Sequence, residues 1–179
     1  MRGLIAKPTN PDPGELAKWH FLAEAPERDA RDTRVQTIAG ALLGAALRNA
    51  RVFLCLAHAL ARDGIRYERD IARVGSEDIA GLTRPVAPND PIDALVRGRD
   101  DCDAKARLFV ALCLAAGRPA RMVGWWRQTG HGTQMLAHVS AEAFLDRGWL
   151  PVELTLARAR LGETGDRVPK EDGGTWLLT

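Results

Sequence analysis

The feature that most constrains this chain is a helical segment in its middle, from Asp101 to Ala116. An acidic residue stands where a helix N-cap belongs, and Gly117 and then Pro119 follow as stop signals. Between these signals, apolar residues recur at helical spacing. We therefore expect the rest of the fold to pack around this helix.

Cys102 begins this helix between Asp101 and Asp103, so it is the one cysteine in a polar setting. The free N–H groups and partial positive charge of a first helical turn favour a thiolate, and predict a thiol pKa lowered from about 8.5 towards 7. Cys55 and Cys113 lie in apolar runs and are expected to be inert core residues. Cys113 is about 16 Å farther along the helix, too far for a disulfide with Cys102.

Strand-like segments dominate the chain after this helix. They alternate apolar and polar residues or carry β-branched and aromatic side chains. A polar tail then leads to an apolar group that we expect to return to the body of the protein. The predicted strands cover about 120–126, 134–144 and 148–155, with a polar loop over 127–134 and the apolar group at 176–178.

A histidine and a carboxylate fall on two of these strands. If residues 146–147 form a two-residue turn, His138 lies opposite Thr155 and Glu153 becomes its diagonal neighbour on the same face. Diagonal neighbours are about 7 Å apart at Cα, within reach of these side chains. Cys102, His138 and Glu153, in that order, predict a thiol-nucleophile triad.

The first half of the chain is predicted to be mainly helical. Residues 1–32, rich in proline and charge, are interpreted as an N-terminal arm with a short apolar group that docks as a strand or turn. Residues 33–179 are expected to form a single domain. Its first part is predicted to contain one long helix or two over 33–61, a short strand or turn over 65–70, a loop over 74–91 and a short helix over 91–96.

Composition narrows the class of protein. The 179 residues are 46% hydrophobic and 27% charged, with a formal net charge of +2 and no basic stripe, which argues against disorder and against nucleic-acid binding. No signal peptide or membrane-length apolar run is visible, and Gly40 and Gly44 are expected to allow close backbone packing. The odd number of cysteines suits a cytoplasmic protein.

Two segments resemble the transglutaminase-like superfamily. They are Asp100-Asp101-Cys102-Asp103-Ala104-Lys105-Ala106 and Leu112-Cys113-Leu114-Ala115-Ala116-Gly117-Arg118-Pro119-Ala120-Arg121. The family pattern is a Gly-Asp-Cys-Asp opening, a helix ending in Gly-Ile-Pro-Ala-Arg, then His on one strand and Asp on the next. The resemblance covers about residues 60–156.

The resemblance implies an α+β, papain-like fold in which N-terminal helices and the cysteine-bearing helix pack on an antiparallel sheet. It implies that Cys102 is the nucleophile, His138 the general base and acid, and Glu153 the orienting carboxylate. Glu153-Leu154-Thr155 stands where the family usually has Asp-Pro-Thr. Glutamate is one methylene longer and can accept the same imidazole N–H.

The implied activity is thiol-dependent acyl transfer or hydrolysis at an amide of a protein or peptide, without metal or cofactor. Compact forms of this kind resemble proteins of bacteria and their phages. The alternative is a non-catalytic assembly module that keeps the fold, such as a phage-particle component located in the virion. Fold analogy does not choose between the two.

The sequence leaves several side-chain roles open. The oxyanion hole should use the Cys102 backbone N–H, and its second donor is open among Tyr67, Gln36 and Gln134. A zinc site built from the three triad residues is the less favoured alternative, because structural zinc usually takes four ligands including a close cysteine pair. No partner is visible in the sequence for the remaining histidines, His20, His58 and His131.

Overall fold

The computed structural model describes residues 8–68, 90–129, 131–163 and 176–178. Its centre is the cysteine-bearing helix, α5, which runs from Cys102 to Ala115 and is buried along most of its length. The Asp101 side chain caps it by accepting from the N–H of Asp103 at 3.1 Å. At its other end Gly117 has a φ of +67°, the left-handed conformation that lets the chain turn away. Both predicted ends are therefore confirmed.

The first part of the chain forms helices α1 (Pro13–Asp29), α2 (Thr33–Ala45) and α3 (Ala50–Asp63). The expectation of a strand or turn in the N-terminal segment is wrong. Asp12 caps α1, and Trp19 and Leu22 on this helix are buried. The division into an arm over 1–32 and a domain over 33–179 stays a prediction.

Residues 46–49 break the predicted long helix of 33–61 into two. Leu47 and Arg48 have φ values of 49° and 62°, and Asn49 then caps α3 by accepting from the N–H of Val52. Gly40 and Gly44 do not mediate close packing, because a Cβ at either position would meet nothing within 4 Å. They line an open groove beside Arg118 instead.

A short parallel pair connects α3 to the start of α5. Strand β1 (Arg66–Tyr67) pairs with β2 (Arg99–Asp100), and helix α4 (Pro91–Arg97) leads into β2. Tyr67 is thereby held opposite Asp100, two residues before the cysteine of α5. The loop predicted over 74–91 falls mostly in 69–89, outside the described residues.

The remaining strands form one antiparallel sheet in the order β5-β4-β3-β6. They are β3 (Ala120–Gln128), β4 (Gln134–Leu145), β5 (Gly148–Val152) and β6 (Trp176–Leu178). Helix α5 packs on β4 and β3, with the buried apolar residues of the helix and the sheet in one core. The α+β architecture is confirmed, and so is the return of residues 176–178 to the body.

The β4–β5 register agrees with the sequence prediction. Ala141 pairs with Val152 and Leu145 with Gly148, around a two-residue turn at 146–147. Both turn residues have positive φ, which is the geometry of the primed turns that match strand twist. Since β5 ends at Val152, the edge of β4 over residues 134–140 lies beyond the end of β5.

The three cysteines differ in environment. Cys113 is buried, as expected, and Cys102 is partly exposed. Cys55 is exposed, so its assignment to the core is wrong. The apolar residues of α3 that enter the core lie at other positions of the helix, leaving Cys55 on the outer face.

In the described part of the chain, no helix is long and apolar enough to cross a bilayer.

Candidate active site

His138 and Glu153 lie together at the open edge of β4. His138 Nε2 is 3.0 Å from Glu153 Oε2, and the His138 side chain is 20% exposed. In the β3–β4 pairing, Trp125 of β3 lies opposite His138, and the next residue, Trp126, lies opposite Leu136. Strand β4 therefore has one extra residue at this point, which forms a β-bulge. Bulges of this kind re-aim a side chain and are frequent beside active sites.

The Glu153 carboxylate is held from both sides. Its Oε1 accepts from the backbone N–H of Thr155 at 2.7 Å and from the Thr155 hydroxyl at 2.6 Å, while Oε2 faces His138. Burial by itself raises the pKa of Glu153, but these hydrogen bonds outweigh it and leave the pKa lowered. Glu153 is therefore a fixed anion that accepts the Nε2–H of the imidazole.

Cys102 reaches the same edge from the N-terminus of α5. The backbone N–H of Val139, the residue after His138, faces the Cys102 sulfur. Helix and strand thus bring the cysteine next to the residue that follows His138, although the chain separates the two by more than thirty residues. Nε2 of the His138 ring is committed to Glu153, which leaves Nδ1 as the ring nitrogen outside this contact.

The ionisation of Cys102 differs from the sequence expectation. Burial, followed by the carboxylates of Asp101 and Asp103, raises the pKa of the thiol above its ordinary value. Desolvation and the two full negative charges next to the sulfur outweigh the partial positive charge of the helix N-terminus, so the predicted lowering of the pKa is wrong. These surroundings favour the neutral thiol over the thiolate.

The buried side chain of His58 forms a hydrogen bond with the backbone of Glu153. His58 Nε2 is 2.9 Å from the backbone carbonyl oxygen of Glu153, so this nitrogen carries the proton and donates. Burial lowers the pKa of His58 and keeps the ring neutral. No sequence signal indicated this contact, because His58 occupies an ordinary buried position of α3.

Lys105 lies one turn after Cys102 in α5, and its side chain contacts the segment between α3 and β1. Its ammonium donates to the carbonyl oxygens of Arg62 and Ile65, where α3 ends and the chain turns towards β1. Burial lowers the pKa of Lys105 to about 8. This side chain ties the cysteine-bearing helix to the segment that carries Tyr67.

The neutral state of His58 predicts a pH effect on stability. Because its pKa is lowered in the fold, the unfolded chain binds a proton that the folded protein does not as pH falls through about 6.5. We expect the free energy of unfolding to decrease in that range, and His58→Gln to remove this part of the decrease. Denaturant unfolding between about pH 8 and pH 5 measures it. His20→Gln, on an exposed position of α1, should keep the wild-type slope, and an equal slope in His58→Gln contradicts the prediction.

The three candidates for the second oxyanion donor have different locations. Gln36 is exposed on α2. Gln134 is buried, and its side-chain oxygen accepts from the N–H of Asn10 at 3.2 Å. Tyr67 is half-buried on β1, next to the residues that precede Cys102. The Asp101 cap uses the N–H groups of Asp103 and Ala104 and does not involve the Cys102 N–H.

Among the described residues, no group of three or more His, Cys, Asp or Glu side chains is arranged to hold a metal ion. A cysteine at a helix N-terminus beside a histidine–carboxylate pair on a sheet is the arrangement of papain-like thiol enzymes. A model of the transglutaminase-like superfamily matches residues 50–154, more than half of the chain. The protein belongs to that superfamily.

Two solved structures share the fold. One is a proposed cysteine protease from Cytophaga hutchinsonii, with 18% sequence identity, a TM-score of 0.50 and coverage of 80% of this chain. The other is a proposed protease from Parabacteroides distasonis ATCC 8503, with 12% identity, a TM-score of 0.51 and 74% coverage. This chain spans 43% and 26% of those chains, respectively. None of the curated proteins gives a match.

Proposed function

We propose that this protein performs thiol-dependent acyl transfer or hydrolysis at an amide of a protein or peptide, with Cys102 as nucleophile, His138 as base and acid, and Glu153 as orienting carboxylate. The observation that carries the proposal is the 3.0 Å contact between His138 Nε2 and Glu153 Oε2 at the strand edge that the Cys102 sulfur also faces. The membership in the transglutaminase-like superfamily supports the reaction class.

The first half-reaction forms a thioester. Cys102 Sγ attacks the amide carbonyl carbon while His138 Nδ1 takes the thiol proton, and Glu153 stabilises the resulting imidazolium through Nε2–H. The negative charge that develops on the carbonyl oxygen is met by the Cys102 N–H, and we assign the second donor to Tyr67. The imidazolium then gives its proton to the leaving amine as the C–N bond breaks.

The second half-reaction releases the acyl group. His138 takes a proton from water or from an amine, the new nucleophile attacks the thioester carbonyl, and the proton returns to the departing Cys102 sulfur. Water gives hydrolysis and an amine gives transamidation. The site residues are the same in both outcomes.

Trapping the thioester tests this proposal. We expect an activated peptide ester to add one acyl group to the protein, located on the Cys102 peptide by mass spectrometry, in a Cys55→Ser background that removes the exposed thiol. Cys102→Ala should give no adduct. Supplying excess amine or water alone then shows which nucleophile releases the acyl group. A folded protein that acquires no acyl group on Cys102 contradicts the proposal.

The rival function is the non-catalytic assembly module, including a phage-particle component. The surroundings of the Cys102 thiol favour it, because burial and the adjacent Asp101 and Asp103 oppose a resting thiolate, the usual mark of an activated cysteine. Full biological function in a Cys102→Ala variant would select this rival. Acylation of Cys102 that depends on His138 discards it.

A further inference from the structure

The N-terminal segment just before α1, residues 10–12, pairs with the start of β4 near the site. The N–H of Asp12 donates to the Gln134 carbonyl at 2.8 Å, and the N–H of Gln134 donates to the Asn10 carbonyl at 2.8 Å. Two residues along the strand, the backbone N–H of Leu136 faces the Glu15 carboxylate. The N-terminal segment and Cys102 therefore occupy successive positions along one strand edge, although this segment precedes the residues that match the superfamily model.

Helix α1 is firmly seated there. Trp19 is 5% exposed and packs on Gly124 of β3, where an added Cβ would come within 2.8 Å of the indole ring. At its far end Asp29 forms an ion pair with Arg107 of α5, and both side chains are nearly buried. The side chains of α1 that face α5 thus have fixed positions relative to the cysteine.

One of those side chains brings a positive charge to the nucleophile. Lys18 Nζ is 3.3 Å from Asp103 Oδ2, and Asp103 directly follows Cys102. The Lys18 side chain is 41% exposed and that of Asp103 is 9% exposed, so the pair is shielded from water mainly on the carboxylate side. The charged groups that face the sulfur are Asp101 and Asp103 from α5 and Lys18 from α1. Strand β4 contributes the titratable His138, which precedes Val139 in the sequence.

We propose that Lys18 is a positioning residue of the active site, whose ammonium group neutralises Asp103 and thereby favours loss of the Cys102 proton. Two full negative charges beside the sulfur oppose the thiolate, and a cation paired with one of them offsets part of that effect. The N-terminal helix is then required for nucleophile reactivity as well as for packing. The expected effect of Lys18 on turnover rests on the proposed function, whereas its expected effect on the ionisation of the Cys102 thiol does not.

Alkylation of Cys102 by iodoacetamide measures the thiolate fraction without a substrate. In the Cys55→Ser background, rates on the Cys102 peptide are followed by mass spectrometry over a series of pH values. We expect Lys18→Met to lower the rate about three- to tenfold at each pH, equivalent to a shift of about half to one pH unit. Lys18→Arg should keep the wild-type rate, and added salt should narrow the difference between Lys18→Met and wild type.

A double-mutant cycle separates charge from structure. Asp103→Asn should speed alkylation, and adding Lys18→Met to it should change the rate by less than about twofold, because the paired charge is gone. Arg51→Met, which removes an exposed arginine paired with Asp146, is the matched control and should leave the rate unchanged. If Lys18→Met does not fold, the Asp103→Asn and Lys18→Arg rates still test the same coupling.

The outcomes distinguish this inference from the proposed function. A folded Lys18→Met variant with the wild-type alkylation profile overturns the role of Lys18, even if Cys102 is acylated normally. A Lys18-dependent alkylation profile in a protein that never forms the thioester upholds the role of Lys18 and overturns the proposed function. An equal rate loss in Lys18→Arg and Lys18→Met also overturns the inference. Arginine keeps the positive charge, so such a loss would come from the shape of the side chain and not from its charge.

Discussion

Replacing His138 by alanine is expected to slow acylation of Cys102 by about 10²- to 10⁴-fold, the usual contribution of a positioned general base. The effect should be at the upper end of that range because burial and two aspartates keep the thiol protonated in the resting site. Without His138 Nδ1, the proton has to leave to water. Single-turnover acylation by an activated peptide ester, followed by mass spectrometry, measures the rate.

The pH dependence checks the same assignment. Since the pKa of Cys102 is raised, the variant without the imidazole should regain rate as the pH rises into the alkaline range, where hydroxide removes the thiol proton. His20→Ala, on an exposed position of α1, is the matched control and should acylate at the wild-type rate. A His138→Ala rate within about twofold of wild type at neutral pH contradicts the assignment of His138 as the base.

The second large effect is on stability. Arg107→Met is expected to lower the free energy of unfolding by about 3–5 kcal/mol, because it leaves the nearly buried carboxylate of Asp29 without its partner. In the wild type the guanidinium contacts both carboxylate oxygens, with Nη2 at 2.8 Å from Oδ1, and also lies over the Phe21 ring. Chemical denaturation measures the loss.

Removing both charges of the Arg107–Asp29 pair should lower the free energy of unfolding less than removing the arginine alone. Arg107→Met combined with Asp29→Leu is expected to recover a large part of the stability, since no buried charge is left unpaired. The exposed pair Arg51–Asp146 provides the comparison, and Arg51→Met should cost less than about 1 kcal/mol. A loss of under about 1 kcal/mol in Arg107→Met shows that Asp29 finds water or another partner, and that α1 is less firmly held than the structure indicates.

Local signals are sufficient wherever a short stretch of chain determines its own geometry. The ends of α5 follow from an aspartate cap and a left-handed glycine, which act within one turn of the helix. The β4–β5 register follows from a two-residue turn, because that turn fixes every pair along both strands. Since the register follows from the turn, the chain itself predicts that Glu153 lies beside His138.

Local signals fail where burial depends on distant parts of the chain. Helix α1 has only four large apolar residues among its 17, and its burial depends on surfaces supplied by α5 and by Gly124 of β3. Cys55 sits in an apolar run yet lies on the outer face of α3, since the helix presents only one side to the core. The composition of the segment does not indicate which side of the helix faces the core.

By itself, the sequence determined the class of the fold, the cysteine-bearing helix and the pairing of the histidine strand with the carboxylate strand. Caps, turns and alternation act over a few residues, and each element of the family motif is itself a short continuous stretch. Only the tertiary structure decided the ionisation of Cys102, the hydrogen bond from His58 to the Glu153 carbonyl and the ion pair of Lys18 with Asp103. Desolvation and Coulomb interactions depend on distances in space, and these exist only after the helices and the sheet have packed together.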